Sequence, residues 1–238
     1  MISWLESGDP FPPHNQALRD PNGLLAAGGD LSPARLIDAY SHGIFPWFNA
    51  DEPILWWSPD PRMVLFPAEL KVSRSLKKVI RNREYEVRLD SAFSEVMRGC
   101  AQARQGQSGT WITPVMIEAY TQLHNMGVAH SAETWVDGKL AGGLYGLALG
   151  RMFYGESMFT EVNDASKIAF VHLVWQLKRW GFGMIDCQMK TAHLATFGAT
   201  EIPRTDFMRR VSNLIQYSPA PISWQFDAHL KDELEADA

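Results

Sequence analysis

The stretch "MIDCQ", residues 184–188, reads as a buried strand, yet it holds Asp186 and, two positions on, Gln188. Desolvating an unpaired carboxylate is costly, so a charge on such a strand needs a reason. Residues i and i+2 of a strand share a face, which predicts that Asp186 and Gln188 project together with Cys187 opposite. In "FYGESMF", by the same rule, Glu156 shares a face with Tyr154 and Met158. Two acids and an amide on core-like strands are more than random polar leakage usually leaves. The plainer reading is that the carboxylates are satisfied by Arg or by backbone N–H groups.

Other residues could serve a polyanionic or aromatic ligand. In "SRSLKKVIRNR" the positions i, i+3, i+4 and i+7 are Arg74, Lys77, Lys78 and Arg81, a basic stripe opposite Leu76, Val79 and Ile80. Such a stripe is usually a solvated face, but with no interleaved acid it also suits a phosphate backbone. Trp111 stands just before a helix N-cap and Trp47 lies in "FPWF", where an aromatic face can stack on a base. Trp56 and Trp57 in "LWWSPDP" read equally well as packing between domains. His193 is the histidine nearest the Asp186 strand. No Walker loop, Ser-His-Asp order or metal-ligand spacing is present, so neither a metal nor a cofactor is expected.

The elements that must position these groups follow from local signals. Ser32, Pro33 and Gly43 bound a helix in residues 1–62, a segment rich in turns and too poor in regular elements to stand alone. From residue 63 the pattern is α/β: strand "RMVLFP", a helix capped by Ser73, strand "YEVRL", and a helix expected to be capped by Asp90. A further helix opens at Thr113-Pro114 and closes at Gly127. Residues 129–159 read as antiparallel strands with Asp137-Gly138 as a hairpin turn, and an amphipathic helix over 164–180 leads into "MIDCQ". The expectation is an α+β fold: a small N-terminal domain (1–62) packed on a larger domain (63–238) with a mixed sheet of the N-acetyltransferase (GNAT) type. The turn "SMFTEVNDASK" before the long helix lacks the glycines that cradle a pyrophosphate, which argues against an acyl-CoA enzyme. A noncatalytic RNA-binding module fits the basic stripe and tryptophans but leaves the strand carboxylates unexplained.

Composition narrows the setting. The net charge of −5 argues against nonspecific coating of nucleic acid, though not against a local basic patch. Two cysteines give no disulfide framework, no apolar run reaches membrane-span length, and the first residues do not form a signal peptide, so a cytoplasmic location is expected.

The motifs "PNGLLAAGGDLSPARL", "GIFPWF", "ILWWSPDPR", "GTWIT", "AYTQLH", "GGLYG", "GESMF", "NDASK", "IDCQ" and "HLATFGATEIPR" run in this order over about residues 20–207. Together they closely resemble the leucyl/phenylalanyl-tRNA–protein transferase family. The resemblance implies transfer of Leu, Phe and more weakly Met from Leu-tRNA, Phe-tRNA or Met-tRNA to the α-amino group of proteins beginning with Arg or Lys, marking them for N-end-rule degradation. A monomer with no membrane or DNA partner is expected. Residue by residue, the resemblance places catalysis on Glu156, Asp186 and Gln188, with Asp186 bonded to the Gln188 amide and Gln188 holding the amine. It sets Trp47 and Trp111 against the terminal adenosine of the tRNA. Leu144, Phe153 and Met158 then form the amino-acid pocket, with Leu144 standing where the motif usually has methionine. The basic stripe Arg74, Lys77, Lys78 and Arg81 is our expectation for contact with the acceptor stem.

Overall fold

A computed structural model describes residues 2–102, 111–217, 223–228 and 230. The loop before Trp111, the expected end of its preceding helix at Arg104, and the acidic tail lie outside these residues. The N-terminal region runs β1 (Ser3–Leu5), β2 (Leu24–Gly28), α1 (Pro33–Ser41), β3 (Phe45–Pro46) and β4 (Leu55–Trp57). These strands form one small sheet in the order β1-β2-β4-β3. Ser32 caps α1 by accepting the Arg35 N–H, and Gly43 ends it with φ +67°, as the residue types predict.

The larger region opens with β5 (Arg62–Leu65), α2 (Arg74–Asn82), β6 (Glu86–Leu89), α3 (Phe93–Gln102) and α4 (Pro114–Asn125). It continues through β7 (Ala129–Val136), β8 (Lys139–Leu149), β9 (Met152–Thr160), α5 (Ala165–Arg179), β10 (Met184–Gln188), α6 (Ala192–Ala195), β11 (Thr200–Ile202) and α7 (Arg204–Leu214). Its sheet has the order β11-β5-β10-β9-β8-β7-β6. Strands β7, β8 and β9 form an antiparallel meander, and Asp137 and Gly138 both take the positive φ that the tight turn needs. After α5 the chain returns as β10, parallel to β9. The sheet is therefore mixed, as expected.

Two local expectations are overturned. Asp90 does not cap α3: it has φ +56°, accepts from the Ser131 N–H and faces His130. The α3 N-terminus is instead held by Glu133 on β7, which accepts from the Ser91 and Ala92 N–H groups and the Ser91 hydroxyl. A carboxylate from a neighbouring strand replaces the local cap, with the same favourable charge at a helix start. Helix α5 is also not amphipathic in place, because almost every side chain from Ala165 to Leu177 is buried. The sheet lies on one side, and α2 and the turn at Pro67–Glu69 cover the other.

Candidate active site

Strands β9 and β10 pair in parallel through Met184–Met152, Ile185–Phe153 and Asp186–Tyr154, and the ladder stops there. Each strand then becomes irregular. On β9 the pairing with β8 jumps from Gly155 to Ser157, leaving Glu156 as an extra, bulged residue. On β10 the register with β5 shifts between Asp186 and Gln188, and Gln188 takes φ +60°. Bulges bend their strands and re-aim side chains. Here they spread the neighbouring strands apart and open a cavity of about 350 Å³ between them.

The bulges also break the period-2 rule applied to the sequence. Tyr154 belongs to the core on one side of the sheet, whereas Met158, beyond the bulge, packs with the core on the other. Glu156 therefore does not share a face with both. It points toward Tyr40 of α1 and Tyr120 of α4, where its Oε1 accepts from the Tyr40 hydroxyl at 2.7 Å and its Oε2 from Tyr120 at 3.3 Å. Gln188 Nε2 donates to Oε1 at 3.0 Å, so three donors from three separate elements converge on one nearly buried carboxylate. Burial pushes its pKa up to about 7, with the nearby Asp186 charge adding to the rise and the Tyr40 and Tyr120 hydroxyls opposing it. Both tyrosine hydroxyls are themselves held well above their ordinary range, first by burial and then by the Glu156 charge.

Asp186 is fully buried and has its own partners. Arg62, the first residue of β5, forks onto it with Nε–Oδ1 at 2.8 Å and Nη2–Oδ2 at 2.6 Å. Oδ1 also accepts the Gln188 backbone N–H at 2.8 Å. This side-chain bond to the N–H two residues on is an Asx turn, which suits the left-handed conformation of Gln188. The expected link between Asp186 and Gln188 thus exists, but it runs to the backbone amide and not to the side chain. Both side chains lie on the side of the sheet that carries Tyr40, Phe45 and Phe207, with Cys187 packed on the other as the spacing predicts, and the turn carries the Gln188 side chain on to Glu156. The plain reading of a carboxylate satisfied by Arg and backbone N–H describes Asp186 well.

Trp47, Trp111, Leu144, Met158, Glu156, Asp186 and Gln188 all border the cavity. Trp111 is buried, while Trp47 is 40% exposed at the mouth beside Met189. Trp57 steadies Trp47, donating its indole N–H to the Trp47 carbonyl at 2.7 Å with the rings 5.4 Å apart. Trp56 is core of the small sheet, its indole N–H bound to the Gly28 carbonyl. Phe153 does not border the cavity: it lies below the point where the strands diverge, near Trp224. Phe170 of α5 and Ile185 supply apolar wall in its place. Cys187 borders the cavity too, and its thiol is pushed up by burial and then by the Asp186 charge. His193 sits exposed at the rim with its pKa lowered, first by partial desolvation and then by Lys167. On α2, Leu76 and Ile80 are buried, Arg74, Lys78 and Arg81 are exposed and Lys77 is half-buried, so the basic stripe faces solvent as expected.

Sequence reasoning missed Arg62, Tyr40 and Tyr120. A signal for Arg62 was present, since an arginine inside the apolar run "RMVL" raises the same question as Asp186 and answers it. The tyrosines stand at ordinary core positions of their helices and gave none. No cluster of three or more His, Cys, Asp or Glu able to hold a metal occurs among the described residues, and no described helix is long and apolar enough to cross a membrane.

A mixed sheet whose parallel strands diverge around an amide–carboxylate pair and an apolar, tryptophan-lined cavity offers a place to orient a reacting group, and the relatives define what is transferred as an aminoacyl group. Residues 64–212 match the family described as leucyl/phenylalanyl-tRNA protein transferase, and residues 29–60 match its N-terminal domain. The chain is 66% identical to the leucyl/phenylalanyl-tRNA–protein transferase of Nitrosospira multiformis over 227 residues, covering 95% of this chain and 98% of that one. It is 60% identical to the Chromobacterium violaceum protein of the same name over 233 residues, covering 98% and 99%. Among solved structures, a GCN5-related N-acetyltransferase from Kribbella flavida matches with TM-score 0.33 and 13% identity, over 79% of this chain and 61% of that one. The chain belongs to the leucyl/phenylalanyl-tRNA–protein transferase family, and it is an aminoacyltransferase.

Proposed function

We propose that the cavity between β9 and β10 is where Leu, Phe or, more weakly, Met leaves its tRNA for the α-amino group of a protein beginning with Arg or Lys. The observation that carries this reading is the Gln188–Glu156 bond across the diverging strands. With Nε2 engaged by Glu156, the Gln188 carbonyl oxygen is the group offered to an incoming amine. Leu144, Met158, Phe170 and Ile185 take the amino-acid side chain, and Trp47 and Trp111 take the terminal adenosine. Glu156 attracts and steers the cationic acceptor. Asp186 acts through the Gln188 backbone and does not touch substrate. The exposed cations Arg74, Lys78 and Arg81, with Lys77 beside them, contact the acceptor stem.

The chemistry needs no strong base. An aminoacyl ester is already activated, and an α-amine of pKa about 8 is about one-tenth neutral at pH 7. Holding that amine at the ester carbonyl supplies much of the rate. An amide oxygen is too weak a base to remove a proton, so Gln188 aligns the neutral amine. In this reading residues 1–62 form a small domain that brings the Trp47 wall to the transferase domain, 63–238. The enzyme works in the cytoplasm as a monomer, and its products enter N-end-rule degradation.

The test is transfer of radiolabelled Phe from charged tRNA to a protein beginning with Arg. A matched protein beginning with Ala, and free Phe with uncharged tRNA, serve as controls. Label on the Arg protein alone, and only from charged tRNA, is the expected result. Equal labelling of the Ala protein would overturn the acceptor assignment.

A further inference from the structure

Arg62 is fully buried and sits at a three-way junction. Nε and Nη2 hold Asp186 of β10, while Nη1 donates to the Gly43 carbonyl at 3.1 Å, two residues before Phe45-Pro46-Trp47, which border the cavity. Its guanidinium lies between the Phe45 ring, 4.8 Å away, and the Phe207 ring of α7, 4.6 Å away. One planar group thus links the wall carrying Trp47 to the strand carrying Gln188.

We propose that Arg62 is a positioning residue for aminoacyl transfer: through Asp186 it fixes the left-handed Gln188 backbone, and through Gly43 it sets the Trp47 wall against the same cavity. This rests on the reading of Gln188 as the group that aligns the amine. A buried ion pair gains little net stability over a well-packed apolar pair of like volume. What distinguishes this pair is direction. Three donors fan out in one plane from a side chain clamped between two rings, a geometry that a lysine, as a point charge with three rotatable donors, cannot reproduce. The coupling to Gln188 is direct, because the N–H it offers in the turn is bonded to the carboxyl oxygen that Arg62 Nε also holds.

The experiment compares Arg62→Lys, Gln188→Ala, Asp186→Asn and the double variant Arg62→Gln/Asp186→Asn in steady-state Phe transfer, each at a temperature well below its melting midpoint. Arg62→Lys keeps the charge and loses the fork, so kcat falls about 10- to 100-fold while KM for phenylalanyl-tRNA stays within about threefold. In the double variant a neutral amide pair replaces the ion pair, which relieves the unpaired buried charge of Asp186→Asn, but the fork and the Gly43 bond are gone. Its melting midpoint therefore rises above that of Asp186→Asn while its kcat stays at least about tenfold below wild type. Wild-type kcat in Arg62→Lys, with only the melting midpoint lowered, would reduce Arg62 to a fold-stabilising role and overturn the inference. So would a double variant with wild-type kcat, and this comparison decides the matter if Arg62→Lys does not fold. Unchanged kcat in Gln188→Ala would instead remove the reading beneath it, so the two failures are distinct.

Discussion

Replacing Glu156 by Gln should make the protein more stable at alkaline pH, by an amount that follows from its surroundings. The carboxyl has an ordinary pKa of 4.5 and is raised to about 7 in the fold by burial. In the unfolded chain Glu156 loses its proton near the lower value, and in the folded protein near the upper one. Between them the unfolded state binds fewer protons, so stability falls as pH rises through this window and stays lowered above it. At 1.36 kcal/mol for each pH unit between the two values, the full loss is about 3 kcal/mol, most of which falls between pH 5 and pH 8. An amide is satisfied in the same cage: the Oε1 of the introduced glutamine accepts from Tyr40 and Gln188, and its NH2 donates to Tyr120, whose hydroxyl can donate in turn to Tyr40. The variant lacks the titration. Urea unfolding followed by tryptophan fluorescence at both pH values should show the stability difference, variant minus wild type, rising by about 2–3 kcal/mol. A difference that stays flat across the range would mean that Glu156 titrates as an ordinary carboxyl, and the argument from burial would be wrong.

Three further outcomes are expected. Asp186→Ala strips Arg62 of its anion, so it should lower stability by about 3–5 kcal/mol and reduce kcat far more than tRNA affinity; denaturant melts and filter binding read the two effects, and unchanged turnover of the folded fraction would contradict the role given to Asp186. Charge reversal at Lys77 and Lys78 should weaken tRNA binding and flatten the slope of log Kd against log salt, measured by fluorescence anisotropy. Leu144→Phe narrows the apolar cavity, so Phe transfer should fall relative to Leu transfer by about tenfold in kcat/KM, measured with both tRNAs in competition.

Much of this was legible because it is local. Ser32, Ser73 and Thr113 each cap the helix their spacing announces, and Asp137-Gly138 turns its hairpin. The polar residues on core strands marked the site, since a charge such as Asp186 needs a partner wherever the fold puts it. The identity of that partner was not legible: Arg62 lies 124 residues earlier and meets Asp186 only through the pairing of β5 with β10. The two bulges were hidden for the same reason. A bulge is a mismatch between two paired strands, so the period-2 rule set Glu156, Tyr154 and Met158 on one face, where the structure separates Met158 from the other two. Phe153, set in the pocket by the resemblance and not by any local pattern, lies on the paired side of the point where the strands diverge and does not border the cavity. The α3 cap failed likewise, since Glu133 reaches it across the sheet and Asp90 is spent on Ser131 and His130.

The most direct measurement is a crystal structure of the protein with a non-hydrolysable amide analogue of 3′-phenylalanyl-adenosine. The account predicts the phenyl ring among Leu144, Met158, Phe170 and Ile185, the adenine against Trp47 or Trp111, and the analogue carbonyl carbon within reach of an amine held by Gln188, a reacting distance of about 3–3.5 Å. Density for the analogue outside the cavity between β9 and β10, or with the phenyl ring turned to solvent and the carbonyl remote from Gln188, would contradict it.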